Sequence, residues 1–229
     1  MGEIEQIKNS SIENLNLAKH EMETAKALDA LAKSELNQAK ARDKLTEREV
    51  DIAKVREQLA EKTRKLVEKK IEMKSNGILE FPDEELEKEK ADAITSERIA
   101  ETQREMALIN VKIAEKEVEI AKEKENLAKE IMDVVRAREN LAKKQTDYLK
   151  VVENQKATEQ SGIAEKIQAA QEKVKTAQQD YLKQEKRVSD EQADVSKNKQ
   201  KIRDKENELS DIQQQFSNKI SELEKIRNA

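Results

Sequence analysis

A seven-residue repeat runs almost unbroken through the segment from residue 86 to residue 149. One position of each heptad carries a larger apolar residue: Ile99, Met106, Ile113, Ile120, Leu127, Val134, Leu141 and Tyr148. The next position carries a small residue in nearly every heptad: Ala93, Ala100, Ala107, Ala114, Ala121, Ala128 and Ala142. A heptad repeat of this length is typical of helices that supercoil against other helices. The sequence therefore predicts an all-α coiled coil.

The two columns of this segment lie side by side, because adjacent residues of an α-helix point about 100° apart. They therefore flank a stripe and do not form one seam, and the residues between them are largely polar: Ser96, Gln103, Asn110, Glu117 and Lys124. We expect the alanine column to let one neighbouring helix approach closely, and the larger column to fill a wider contact with a second helix. A helix of this kind can contact two neighbours.

The first segment of the chain, from about residue 4 to residue 74, has the same pair of columns. Its larger column is interrupted at Thr24 and Gln38 and contains Leu17, Leu31, Leu45, Ile52, Leu59, Leu66 and Met73. Its small column contains Ala18, Ala25, Ala32, Ala39, Thr46, Ala53, Ala60 and Val67. A third column alternates apolar and acidic residues: Met22, Asp29, Leu36, Asp43, Val50 and Glu57. These carboxylates are interpreted as rim charges beside the helix contact, or as residues that set its register.

The first break between helices is clear. Ser75, Asn76 and Gly77 favour a helix end, and Pro82 favours a helix start. Basic residues crowd the chain before this loop and acidic residues follow it, so the two clusters suit their helix dipoles and would attract each other in an antiparallel hairpin. We therefore predict helix 1 over about 4–74 and a loop at 75–82.

The second break, at 158–162, is weaker, because it contains no Pro and only one Gly, which a helix tolerates at a cost of about 1 kcal/mol. The phase of the heptads changes after it, which fits either a turn or a stutter in one continuous helix. A turn gives helix 2 over about 83–157 and helix 3 over about 163–228. We predict one elongated domain, 1–229, folded as an antiparallel three-helix up-down-up bundle about 100 Å long. The alternative is a helical hairpin with one continuous helix from Pro82 onward.

The third segment has one complete apolar column and an incomplete second one. The complete column contains Ile167, Val174, Tyr181, Val188, Val195, Ile202, Leu209, Phe216 and Leu223. The middle of the second column is polar: Gln184, Glu191, Asn198 and Lys205. This helix is the least tightly specified of the three, and its surface is a candidate for binding another chain.

The composition argues against several classes of function. The chain contains 45 Lys and Arg and 49 Asp and Glu, intermixed along its length, which is not the basic footprint of a nucleic-acid-binding protein. Cys is absent, His20 is the only histidine, and there is no Gly-rich phosphate loop. We therefore expect no catalytic, cofactor-binding or metal site. No apolar run or N-terminal signal region is found, which predicts a cytoplasmic location, or a secreted or surface location if the chain is part of a longer protein.

The leading interpretation is a non-enzymatic structural or scaffold protein that assembles with copies of itself, into filaments for example, or binds other proteins. The alternative is the hairpin stalk of a secreted or surface protein. In composition the chain is similar to the central hairpins of colicin-type toxins and to the stalks of bacterial surface proteins. Under this alternative the loop residues Asn76, Ile78, Leu79 and Phe81 would form a protein-contact tip. The same apolar residues would otherwise plug the end of the bundle.

The length and number of the helices also resemble those of BAR domains. That resemblance implies dimerisation and a basic curved face applied to anionic lipid. The basic cluster from Lys62 to Lys74 is matched by the acidic start of helix 2, and no amphipathic insertion helix with Trp or Phe precedes the first helix. Membrane binding is therefore disfavoured.

Overall fold

Three long helices form nearly all of the computed structural model, which describes residues 2–160 and 164–228. α1 covers Gly2–Ser75, α2 covers Asp83–Glu159 and α3 covers Ala164–Arg227. The residues described include no strand. The predicted all-α class is confirmed, and the predicted ends of the first two helices agree to within two residues. The predicted start of helix 3 at Ile163 lies outside the described residues.

The weak second break is a helix end. α2 stops at Glu159, its last turn is closed by the bond from the Gln160 N–H to the Lys156 carbonyl at 3.3 Å, and α3 packs against α2. The alternative of one continuous helix from Pro82 onward is therefore wrong. Residues 161–163 of the predicted break lie outside the part of the chain that the structure describes.

The chain forms two compact units, each containing a stretch of all three helices. Unit 1 comprises Met1–Glu35 and Lys122–Arg203, and unit 2 comprises Leu36–Ala121 and Asp204–Ala229. In both units α2 contacts α1 on one side and α3 on the other, as an up-down-up bundle requires.

Ion pairs between α1 and α2 show that the two helices are antiparallel. In unit 2, Arg42 pairs with Glu117 at 3.0 Å, whereas Lys70, much later in α1, pairs with Glu89 at 2.8 Å, earlier in α2. The other pairs in unit 2 follow the same order: Glu57 with Arg104, Arg64 with Glu97, and Lys74 with Asp83. In unit 1 the pairs are Glu21 with Arg138 and Glu35 with Lys124.

The alanine columns form the contact between α1 and α2. Ala25 is 1% exposed in α1, and Ala114 is 1% exposed in α2. Most other members of the two columns are also buried: Ala18, Ala32, Thr46, Ala53, Val67, Ala93, Ala100, Ala107, Ala121, Ala128 and Ala142. Small side chains allow two helix axes to approach closely, so the expected close contact is confirmed.

The partner of the alanine column within α1 is the third column and not the larger one. Leu36 packs with Val118 and Ala121, and Val50 packs with Ala107. The third column follows each alanine by four residues, so the two columns alternate at spacings of four and three, which is the a/d pattern of a coiled coil. The expectation that the larger column of α1 fills a second helix contact is wrong, because most of its members are exposed.

α2 uses its larger column toward α3. Ile113, Ile120 and Val134 are buried, and the remaining members, Ile99, Met106, Leu127, Leu141 and Tyr148, are half-buried. On the α3 side, Ile202 and Leu223 of the complete column are buried. Lys116 of α2 pairs with Glu208 of α3 at 2.7 Å, and Lys219 pairs with Glu105 at 2.6 Å. The two-neighbour role predicted for the second helix is therefore observed.

The closeness of the alanine contact predicts a strong effect of side-chain size. We expect Ala25→Leu to destabilise the protein by about 1 to 3 kcal/mol, because a larger side chain in a well-packed contact forces the helices apart. Ala27→Leu, at an exposed position two residues away, is the matched control and should change stability little. Thermal and urea unfolding followed by circular dichroism measure the difference. Equal stability of the two variants would contradict the prediction.

Candidate interaction surface

The loop after α1 closes the helix with a specific backbone motif. Gly77 has a positive φ of 71°, its N–H donates to the Lys74 carbonyl at 2.9 Å, and the Ile78 N–H donates to the Met73 carbonyl at 2.9 Å. These two bonds define a Schellman motif, which uses the left-handed residue to satisfy the last carbonyls of a helix. The Leu86 N–H donates to the Pro82 carbonyl at 3.3 Å and opens α2. The sequence signals for this turn are confirmed.

The four residues predicted for a contact tip divide into two pairs. Asn76 is exposed and Ile78 is 67% exposed, whereas Leu79 and Phe81 are half-buried. The Lys70 ammonium lies 5.7 Å from the centre of the Phe81 ring, a cation–π distance. The outer pair is thus open to a partner and the inner pair is partly shielded from solvent, and both the contact-tip role and the end-plugging role stay predictions.

A second and larger apolar surface lies on α1. We call the α1 leucine row the five residues Leu45, Ile52, Leu59, Leu66 and Met73, which repeat every seven residues within unit 2. Their side chains are between 42% and 65% exposed. Singly exposed apolar residues are common on protein surfaces, but an aligned row of them marks a candidate interaction surface.

Ile52 of the α1 leucine row forms one wall of a groove in unit 2. This groove is also lined by Met106 of α2 and by Phe216 and Leu223 of α3. On α3, Ile220 lies on the same helical face as those two residues and is 38% exposed. All three helices therefore contribute apolar groups to one open groove.

Unit 1 has a shorter version of this surface. Leu17 and Leu31 are exposed like the α1 leucine row, but Thr24 stands between them at the intervening heptad position. Each of these two leucines lines a groove with α2 residues, including Leu141 beside Leu17 and Leu127 beside Leu31. The uninterrupted apolar surface belongs to unit 2.

A polar pair of one buried and one half-buried residue lies between α2 and α3 in unit 1. Asn198, in the incomplete column of α3, is only 2% exposed. Its side chain hydrogen-bonds to the Glu130 carboxyl, and burial raises the pKa of that carboxyl above its usual range despite this bond. Asp194 and Glu123 nearby act in the same direction, and Lys201 opposes them. The ionised form of Glu130 is thus disfavoured in the folded protein.

Charged clusters connect α2 and α3 in unit 2. The hydrogen bonds that the Lys116 ammonium donates to Glu208 and Glu119 raise the pKa of Lys116, and the bond that Glu119 accepts lowers the pKa of Glu119. Bonds to Glu105 and Glu222 raise the pKa of Lys219 well above its ordinary value. Opposite charges in these clusters hold each other in the ionised form. They act as structural contacts and offer no poised acid or base.

The described residues contain no group of His, Cys, Asp and Glu side chains arranged to hold a metal ion. A search of the same residues finds no helix apolar over a length sufficient to cross a bilayer. Comparison of the chain with models of known protein families and with curated protein sequences found no match.

The structure brings together two sets of residues that the sequence singled out. The larger and alanine columns of α2 lie in its contacts with α3 and α1, as Met106 beside Phe216 and Ala107 against Val50 show. The exposed α1 leucine row was missed. Its signal was present, because the row stands one residue before the small column of α1, as Ile52 does before Ala53 and Leu59 before Ala60, and therefore about 100° away from the alanine contact.

The backbone of Gly77 gives a first prediction for this region. We expect Gly77→Ala to cost about 1 to 2 kcal/mol, because a Cβ disfavours the left-handed conformation. No atom lies within 4 Å of the position that a Cβ would take, so the cost arises in the backbone alone. Gly77→Asn should lose less, since Asn tolerates this conformation better. Urea unfolding compares the variants, and an equal loss for Asn and Ala would contradict the explanation.

The pair of Asn198 and Glu130 gives a second prediction, on pH. A carboxyl whose folded pKa is raised destabilises the folded state at pH values above that pKa, and the penalty disappears as pH falls below the unfolded value of about 4.3. We therefore expect Glu130→Gln to raise the melting temperature at pH 7 and to have little effect near pH 3. The exposed Glu115→Gln in the same helix is the control. A lower melting temperature for Glu130→Gln at pH 7 would refute the assignment.

Proposed function

We propose that this protein is a non-enzymatic coiled-coil scaffold that associates with copies of itself or with other proteins through exposed apolar helix surface. The observation that carries the proposal is the α1 leucine row, whose five side chains stay largely exposed although they repeat at coiled-coil spacing. Heptad rows of this type are the surfaces by which helices recognise other helices.

The area left exposed is large enough to contribute to binding. Complete burial of a Leu side chain is worth about 1.5–3 kcal/mol, so covering the exposed half of five such residues offers roughly 4–8 kcal/mol. Association itself costs at least about 4 kcal/mol in lost motion. The row alone therefore supports weak binding, and a tighter complex also uses the facing wall of α3, where Phe216 is half-buried and Ile220 is 38% exposed.

The α1·α2 contact supports a scaffold role by holding the α1 leucine row in place. Alanines on both helices are buried along the contact, and ion pairs such as Arg104 with Glu57 at 3.1 Å cross beside it. A row held on a packed helix pair loses little conformational freedom when a partner binds, which favours association.

A second candidate function is a stalk that presents the loop at 75–82. The observation in its favour is the 67% exposure of Ile78 beside the exposed Asn76. Deleting residues 76–79 should abolish partner binding under this alternative and leave it intact under the scaffold proposal. A cytoplasmic location, or a surface location within a longer protein, stays a prediction from the sequence under either function.

The scaffold proposal predicts that association depends on the α1 leucine row. We expect the protein either to self-associate with rising concentration or to bind a synthetic helical peptide that carries one Leu per heptad and uncharged flanks. Leu59→Ser with Leu66→Ser should weaken whichever association occurs by about 1.5 to 3 kcal/mol, because two exposed leucines lose their apolar contribution. Sedimentation velocity and isothermal titration calorimetry measure the two events.

Ile94→Ser with Leu108→Ser is the matched control, because these residues are also exposed apolar residues of unit 2 but lie on α2, outside the row. This control should behave as the wild type. The proposal fails if the wild type stays monomeric and binds no peptide, or if both double variants lose association equally.

A further inference from the structure

The charges beside the α1 leucine row differ from those of the chain as a whole. Side chains three and four residues away are the immediate neighbours of a helical residue. At these positions around the row, in unit 2, basic residues prevail: Arg42, Arg48, Arg56, Lys62, Lys69 and Lys70. Glu49 is the single acidic neighbour between Arg42 and Lys70, although the whole chain has 49 acidic residues against 45 basic ones. The row therefore lies in a basic border.

Most of this border is open to a partner. Arg42 and Lys70 are engaged in ion pairs with α2, at 3.0 Å to Glu117 and 2.8 Å to Glu89. The other four basic neighbours, Arg48, Arg56, Lys62 and Lys69, are exposed. Lys62 and Lys69 lie one heptad apart on the flank that faces away from the alanine contact, beside Leu59 and Leu66.

The shape of the surface favours a helix as the occupant. At the level of Ile52, apolar groups stand on opposite walls of a groove, with Ile52 on α1 and Phe216 and Leu223 on α3, and Met106 belongs to α2 between them. A groove with apolar walls is suited to the apolar face of an amphipathic helix, whereas a bilayer surface requires groups that project outward together.

We propose that the α1 leucine row of unit 2 binds an amphipathic helix of another protein, whose apolar row is bordered by Asp and Glu. The occupant is not a second copy of the row, because pairing two such rows would bring their basic borders together, and like charges disfavour association. From Leu45 to Met73 the row spans roughly 42 Å at 1.5 Å per residue, which corresponds to about four heptads of partner helix. This inference rests on the proposed scaffold function and names its partner class.

Two synthetic helical peptides of four heptads test the proposal. They share one row of Leu and differ only in the flanking positions, which are Glu in one and Lys in the other. We expect the wild-type protein to bind the Glu peptide at least about tenfold more tightly than the Lys peptide in calorimetry. Salt should reduce this preference, because exposed charges are screened.

Substitutions in the basic border and in the row test separately how charge and apolar contact contribute to peptide binding. Lys62→Glu with Lys69→Glu should reverse the preference toward the Lys peptide. Lys40→Glu with Lys54→Glu changes the same number of exposed lysines of α1 away from the row, and should leave the preference unchanged. Leu59→Ser with Leu66→Ser should lose binding of both peptides. Circular dichroism establishes that each variant keeps its helix content.

The outcomes distinguish this inference from the scaffold proposal. Equal binding of both peptides that depends on Leu59 and Leu66, or self-association that depends on them, would overturn the acidic-helix inference and keep the scaffold function. Co-sedimentation with phosphatidylserine vesicles that requires Lys62 and Lys69, without binding of the Glu peptide, would assign the surface to lipid and overturn it. Absence of all peptide binding and all self-association would overturn both.

Discussion

The packing of the alanine columns in the contact between α1 and α2 is the constraint on which the rest of the structure depends. Ala25 and Ala114 are almost completely buried, and the alanines of α1 share this contact with the residues four positions on, such as Leu36 and Val50. The larger column of α1 stands one position before the alanine column, at about 100° around the helix. Its residues therefore cannot enter the same contact, and the exposed row on α1 is a geometric result of the alanine seam.

Much of this architecture could be predicted from the sequence, because a period of seven reports helices and their buried faces directly. The turn at Gly77 and the role of α2 between two neighbours followed from local chemistry and from the two columns around Ile113 and Ala114. The solvent exposure of Leu59 and Leu66 could not be predicted in the same way. A periodic column shows which face of a helix is apolar, but it does not show how many helices are present to cover that face.

α3 is attached to α2 by a different balance of forces. Its complete apolar column supplies buried groups such as Ile202, but charged and polar groups occupy many of the neighbouring positions. Asn198 is buried and Glu130 half-buried, and Asn198 Oδ1 and Glu130 Oε2 have no hydrogen-bond partner, so this pair adds little stability. In unit 2 the same helix supplies Phe216 and Leu223 to the groove, so the wall opposite Ile52 of the α1 leucine row belongs to the less tightly packed partner of α2.

The ion pairs across the α1·α2 contact help to set the alignment in which the two helices pair. Each alanine of the seam resembles the one a heptad away, so apolar packing alone scarcely distinguishes the native alignment from one displaced by seven residues. In unit 2, displacement in one direction would set Glu57 against Glu97 and Arg64 against Lys90, and displacement in the other would set Arg64 against Arg104. Because like charges would meet after a shift in either direction, the ion pairs favour the native alignment of a helix contact whose apolar residues alone would allow several. Salt that screens them would leave the helices intact and make their pairing less faithful.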